Sequence, residues 1–298
     1  MNMRYVCHVG VHKTGTSLLQ LNLKLNIAGL RQQGVYYVNV EDRDTIKAQM
    51  WMIRRMEKAE NLPGIGMLRK SNELLKLKAR AAGAHTILLS HEDRIGKAPY
   101  AAFGVGRQRT SFYPNATGCL KRLFEGFEPD QRHVLLYSRH QASLFPSLYS
   151  EGLRNLALPF NLEAFFDRFD VESIRFRSLL DRIVEAVPAD QVTMRRFEDI
   201  RTDTRSYVER FMRDAGIDPS SFKVLAEKVR VSFDQKQADE LMELTRARVE
   251  QRITIKDSKA LFERIVQRPA DPESPIVVPD SIRDACNQLA KGDLFQNK

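Results

Sequence analysis

The chain has 298 residues, 43% hydrophobic and 29% charged, which suits one large α/β domain or two small ones and is ordinary for a globular protein. No apolar run approaches the roughly 20 residues of a membrane span, the opening MNMRYVCHVG is too short an apolar stretch for a signal peptide, and Cys7, Cys119 and Cys286 form no C-x-x-C pair. A cytoplasmic protein without transmembrane segment, disulfide framework or zinc site is expected. The net charge of +9, from 47 basic and 38 acidic residues, favours an anionic ligand. It is spread along the chain, with no aromatic-interleaved basic patch, so a small anion is expected rather than a nucleic acid.

Apolar runs alternate with amphipathic stretches, which predicts a central parallel sheet flanked by helices. Arg4–Val9 is the first expected strand. Thr16–Gln33 reads as one helix closed by Gly34, with Leu18, Leu19, Leu21, Leu23, Leu25 and Leu30 as its apolar face. Val35–Val38 is a second strand, and 44–82 is helical and charged with a break at LPGIG (Leu62–Gly66). His85–Ser90, His133–Ser138 and Gln191–Phe197 are three further strands. Asp203–Ala215 is a helix closed by Gly216. Gln235–Gln267 reads as helix, RPADPESPIVVP (Arg268–Pro279) as an irregular arm, and Ser281–Ala290 as a last short helix. The expectation is a single domain over 1–298: an α/β core over 1–220 and a helical, irregular C-terminal cap over 221–298.

The stretch HVGVHKTGTS (His8–Ser17) follows the first strand and opens the first helix. A strand, a glycine-bearing turn and a helix start present backbone N–H groups and the positive end of the helix dipole to one point, where an anion belongs. Lys13 adds a full charge, and Thr14, Thr16 and Ser17 add hydroxyls. The ATP and GTP loop reads G-x-x-x-x-G-K-[ST]. Here Lys13 precedes Gly15, and no clear strand-end Asp stands ready for magnesium, so a transfer without metal is expected. His8 and His12 straddle strand and turn, and no metal site is assigned to them.

The order K-[TS]-G-[TS]-[TS] after an apolar strand resembles the 5′-phosphosulfate loop of the sulfotransferases that use 3′-phosphoadenosine 5′-phosphosulfate (PAPS). That family's second signature is an Arg at a strand end and a Ser eight residues later, which together grip the 3′-phosphate. LLYSRHQASLFPSLYSEG offers Arg139 and Ser147, with Tyr149 behind them and Pro146 complicating a simple helix. A guanidinium fork takes a phosphate bidentately and a hydroxyl adds a donor. A third likeness is MRRFEDIRTDT (Met194–Thr204), similar to the family's strand-end YED segment with Phe197 in place of tyrosine. That replacement keeps stacking on adenine and loses the hydroxyl. AKGDLF (Ala290–Phe295) is a faint echo of a C-terminal phosphate loop in the animal enzymes.

The resemblance implies a P-loop-like sulfotransferase fold and transfer of a sulfuryl group from PAPS, as co-substrate, to a hydroxyl or amine acceptor. It implies Lys13 as the group that offsets charge at the transferring centre. His12, Lys13, Thr14, Gly15, Thr16 and Ser17 would form the donor loop, with Arg139, Ser147 and Phe197 completing the nucleotide site. The acceptor's proton needs a base, for which LLSHEDR supplies Glu92 and His91, with Glu92 favoured by the bacterial pattern. Glu198 and Asp199 read as structural or capping residues. Tyr100, Phe103, Phe112, Tyr113, Arg107 and Arg109 lie in a loop that would shape the acceptor site, and a carbohydrate or another small molecule fits it. The alternatives are a kinase-like phosphotransferase, or a non-catalytic protein that binds nucleotide or an anionic glycan.

Overall fold

The computed structural model describes residues 3–56, 65–102, 109–226, 233–291 and 293. In chain order the elements are β1 (Arg4–His8), α1 (Thr16–Leu25), α2 (Ile27–Gln32), β2 (Val35–Tyr37), α3 (Val38–Glu41), α4 (Arg43–Met56), α5 (Ile65–Ala81) and β3 (Thr86–Ser90). There follow α6 (Ala116–Leu123), β4 (Arg132–Ser138), α7 (Gln141–Arg154), α8 (Leu162–Phe166), α9 (Phe176–Val184) and β5 (Val192–Arg196). The chain closes with α10 (Thr204–Asp214), α11 (Gln235–Val249), α12 (Ile255–Gln267) and α13 (Asp280–Lys291). Among the described residues no helix is long and apolar enough to cross a membrane.

The chain divides into two compact units. The first takes in Met1–Gly96, Tyr113–Arg139 and Leu179–Glu227. Its described strands form one parallel sheet in the order β2-β3-β1-β4-β5. This is the α/β class expected from the alternating pattern. The inner strands YVCH, TILLS and VLLYS are buried along their whole length, as parallel strands covered on both faces must be. One core joins Val6, Leu88, Leu135 and Tyr137 of the sheet to Leu19 and Leu23 of α1 and to Val208, Phe211 and Met212 of α10.

The second unit takes in Lys97–Phe112, His140–Ser178 and Lys228–Lys298. Phe112, Phe145, Phe165, Phe166 and Phe169 pack there edge to face, with centroids 4.9–6.2 Å apart. Buried Asp293 fastens the C-terminal end by accepting from Gln141 Nε2 (2.8 Å) and from the amides of Phe176 (2.7 Å) and Arg177 (2.8 Å). The described part of the AKGDLF stretch thus has a structural anchor in this unit.

Three expected elements differ. The helix predicted over Thr16–Gln33 breaks at Asn26, whose backbone leaves the helical region (φ −106, ψ 23). Asn26 Nδ2 donates to Lys223 O (2.8 Å) and its Oδ1 accepts from Lys223 N (2.9 Å). Asn22, one turn earlier, treats Leu225 the same way at 3.0 and 2.8 Å. The two amides read the segment after α10 as a neighbouring strand would. The helix predicted over Gln235–Gln267 breaks between α11 and α12, where Gln251 turns left-handed (φ 58). Thr254 then caps α12 by accepting from Asp257 N. Finally, α7 runs straight through Pro146, and α6 to α9 occupy stretches left unassigned by pattern alone. Of LPGIG, Leu62, Pro63 and Gly64 lie outside the described residues, and Ile65 and Gly66 are the first two residues of α5.

The asparagine ladder yields a ranking. Asn22 is fully buried and Asn26 is not. Removing a buried amide strands its partners at about 1–3 kcal/mol. Asn22→Ala is therefore expected to lower unfolding free energy by that amount, and Asn26→Ala by clearly less, as measured by urea denaturation. Equal losses would contradict the assignment.

Candidate active site

The loop between β1 and α1 lies in the first unit, above the carboxyl ends of the inner strands. It continues β1 along β4, with Val9 N donating to Leu135 O (3.0 Å) and Val11 N to Tyr137 O (3.2 Å). It then turns sharply. Lys13 (φ 72) and Gly15 (φ 77) both adopt left-handed backbones. For the glycine this is cheap; for the lysine it costs about 1–2 kcal/mol. A Cβ on Gly15 would also stand 3.2 Å from Phe197 and 3.4 Å from the Tyr207 hydroxyl. Gly10 is bare for a different reason. A Cβ there would sit 2.8 Å from Thr14 Oγ1, 2.9 Å from His8 Nε2 and 3.1 Å from Thr16 Oγ1.

Every turn of this loop is held. Thr14 Oγ1 donates to Val11 O (2.5 Å), Tyr207 Oη donates to Thr14 O (3.0 Å), and Arg139 Nη1 donates to Lys13 O (2.7 Å). The Arg139 guanidinium lies 4.7 Å over the Phe197 ring. Burial pushes its pKa down to about 10, against Glu198, which raises it, so it stays charged at neutral pH. The structure therefore brings together Lys13, Thr14, Gly15, Arg139 and Phe197. Tyr207, on α10, was not singled out by any motif. Ser147 is buried on α7, which begins two residues after Arg139, and belongs to the second unit.

Helix α1 starts at Thr16 with no side-chain cap and no acidic residue in its first turn. Its N-terminal field is thus not already answered by a carboxylate. Thr16 Oγ1 and His8 Nε2 are both buried and make no hydrogen bond. Unmatched buried polar atoms of this kind cost free energy. The group of donors and the uncapped helix start fit an anion such as a phosphate.

The turn after β3 carries His91, Glu92 and Asp93. His91 N donates to His8 O (3.0 Å), and His91 Nδ1 accepts from Asp93 N (3.3 Å), capping the turn. Burial holds the His91 pKa below the ordinary histidine value, with Glu92 opposing, so the ring is neutral at neutral pH. Glu92 Oε2 is buried without a hydrogen-bond partner. Asp93 Oδ1 reaches His12 Nε2 at 2.9 Å, and Tyr113 Oη reaches His12 Nδ1 at 2.5 Å. Neither Asp93 nor this use of Tyr113 was legible in a motif. Phe112, expected near an acceptor, is instead fully buried in the aromatic core of the second unit. Arg109 is exposed and donates to Asp167 O (3.1 Å), and Phe103 and Arg107 lie outside the described residues.

No family model matches the chain, and no curated protein matches it. Among solved structures it is similar to a sulfotransferase from Alicyclobacillus acidocaldarius, with 14% identity, 95% of this chain and 100% of that one covered, and a TM-score of 0.45. It is similar to the sulfotransferase domain from the curacin biosynthetic pathway (12%, 91% and 99%, TM-score 0.38). A third likeness is to retinol dehydratase in a complex with retinol and PAP (11%, 100% and 84%, TM-score 0.33). These likenesses are distant.

His8 provides a pH test of the site's packing. Its Nδ1 meets Ser90 Oγ at 2.8 Å, and its ring lies edge to face with Tyr137 and Phe211. Burial pushes its pKa from 6.5 down to about 3. Between those values the unfolded chain binds a proton that the native one refuses. Stability therefore rises with pH across that window, by up to about 1.4 kcal/mol per pH unit from this group. His91 and His133, also held low by burial, add with the same sign. Denaturation between about pH 4 and 7 is expected to show this slope, and His8→Gln to reduce it. An unchanged slope in that variant would contradict a buried neutral His8.

Proposed function

We propose that this protein is an enzyme that transfers a sulfuryl group from PAPS to a hydroxyl or amine acceptor. The observation that carries the reading is the loop of Lys13–Ser17. Its lysine precedes the glycine, its helix start is uncapped, and a charged Arg139 stacked on Phe197 braces it. PAPS supplies the sulfuryl group on a bridging oxygen whose charge grows as the sulfur–oxygen bond breaks.

The chain's own residues then have these roles. Lys13 offsets that growing charge, which is where a preorganised cation is most effective. The loop amides, that of Thr14 among them since its hydroxyl is given to Val11 O, hold the 5′-phosphate at the start of α1 with Thr16 and Ser17. Arg139 holds the 3′-phosphate, and Phe197 offers its ring to the adenine. Glu92 takes the acceptor's proton, since its buried Oε2 has no other hydrogen-bond partner. His91, neutral by burial, is the second choice, because its Nδ1 is already spent on the Asp93 amide. Within the acceptor range left open, a carbohydrate is favoured by the resemblance alone.

Lysine and arginine are expected to separate in experiment. Lys13→Ala should lower turnover of PAPS by about a hundredfold or more, while affinity for the product 3′,5′-phosphoadenosine falls far less. Arg139→Ala should weaken that affinity about tenfold or more. Calorimetry and a radiolabelled-sulfuryl assay over an acceptor panel check both. An Arg139→Ala variant that binds the product as well as the unaltered protein would remove the 3′-phosphate assignment.

A further inference from the structure

Two residues of the first unit outside glycine have left-handed backbones among those described, Lys13 (φ 72) and Tyr113 (φ 49). The side chain of His12 joins them. Tyr113 Oη lies 3.0 Å from the His12 backbone nitrogen and 2.5 Å from its Nδ1, and the two rings stack at 5.8 Å. On the far side of the imidazole, Nε2 lies 2.9 Å from Asp93 Oδ1. Arg182 Nη1 donates to the Tyr113 carbonyl (2.6 Å), which fixes the tyrosine in its unusual posture. His12 is 8% exposed and Tyr113 2%.

The hydrogens can be assigned when the ring is neutral. A carboxylate only accepts, so Nε2 carries the proton and donates to Asp93. Nδ1 is then an acceptor, and the Tyr113 hydroxyl donates to it. The same hydroxyl oxygen accepts from the His12 backbone N–H. Both ring nitrogens are used within the protein, which suits a brace rather than a ligand-binding group.

We propose that Tyr113, His12 and Asp93 form a positioning chain that fixes Lys13 in its left-handed posture. The chain also ties the lysine-bearing loop to the turn that carries His91 and Glu92. Lysine and base are thereby held in one register, with the three side chains acting through them. The functional consequence rests on the reading of this loop as the sulfuryl-donor site. The geometric consequence does not, and the two are tested separately.

The first arm is nitrogen-15 NMR of the unaltered protein and of Tyr113→Phe and Asp93→Asn. The His12 Nε2 is expected to carry a proton toward Asp93. Tyr113→Phe should shift both the Nδ1 signal and the Lys13 amide signal. Asp93→Asn, on the more exposed end, serves where the tyrosine variant fails to fold. The second arm is kinetic. Both variants should lower kcat by about tenfold or more with the KM for PAPS within about threefold, and Asp93→Glu should recover part of the loss. A His12 ring protonated on Nδ1 alone, or a Lys13 amide unmoved by either variant, overturns the chain. So does a rise in KM with kcat unchanged, which would make these residues donor ligands. If the unaltered protein transfers no sulfuryl group while the NMR shifts appear, the chain stands and the donor reading falls.

Discussion

The turn at Lys13–Gly15 is the constraint on which the rest of the first unit depends. A strand must become a helix within a few residues, and the cost of a left-handed lysine must be met by its surroundings. The neighbours meet it from all sides. Arg139 takes the Lys13 carbonyl, Tyr207 takes the next one, β4 pairs with the approach to the turn, and His12 is clamped between Tyr113 and Asp93. The sheet order places β1 between β3 and β4, so the strands that end beside the loop are those that carry Arg139 and the His91–Asp93 turn. For the transfer proposed above, a fixed loop of this kind would need little reorganisation as charge develops at its centre.

Legibility in the sequence followed the range of each interaction. The strands were readable because parallel inner strands are continuous apolar runs, and the loop because its glycine, lysine and hydroxyls are neighbours in the chain. Arg139, directly after β4, was picked out through the resemblance. The ends of helices were less so. Asn26 breaks α1 from α2 through bonds to Lys223, nearly two hundred positions away, and no local pattern records that. The start of α12 did leave a local trace, the Thr254 to Asp257 spacing of an N-cap, inside a stretch whose helical composition concealed it.

The site shows the same division. Tyr113 stood in an aromatic loop and was read with Phe112 as a candidate for acceptor binding. The structure separates them, with Phe112 in an aromatic core and the Tyr113 hydroxyl on His12. Adjacent residues with similar side chains received opposite tasks because the backbone reverses between them, with Tyr113 at φ 49. Asp93 was passed over beside His91 and Glu92, since in a run of three polar residues spacing cannot say which one faces which neighbour.

The measurement that bears most directly on the loop is calorimetric titration of the whole protein with 3′,5′-phosphoadenosine, 5′-AMP and ATP, with and without magnesium. Binding of phosphoadenosine that is independent of metal and lost without the 3′-phosphate is the predicted result. Preference for ATP with magnesium, and indifference to the 3′-phosphate, would contradict the sulfuryl-transfer reading and make the loop that of a phosphotransferase.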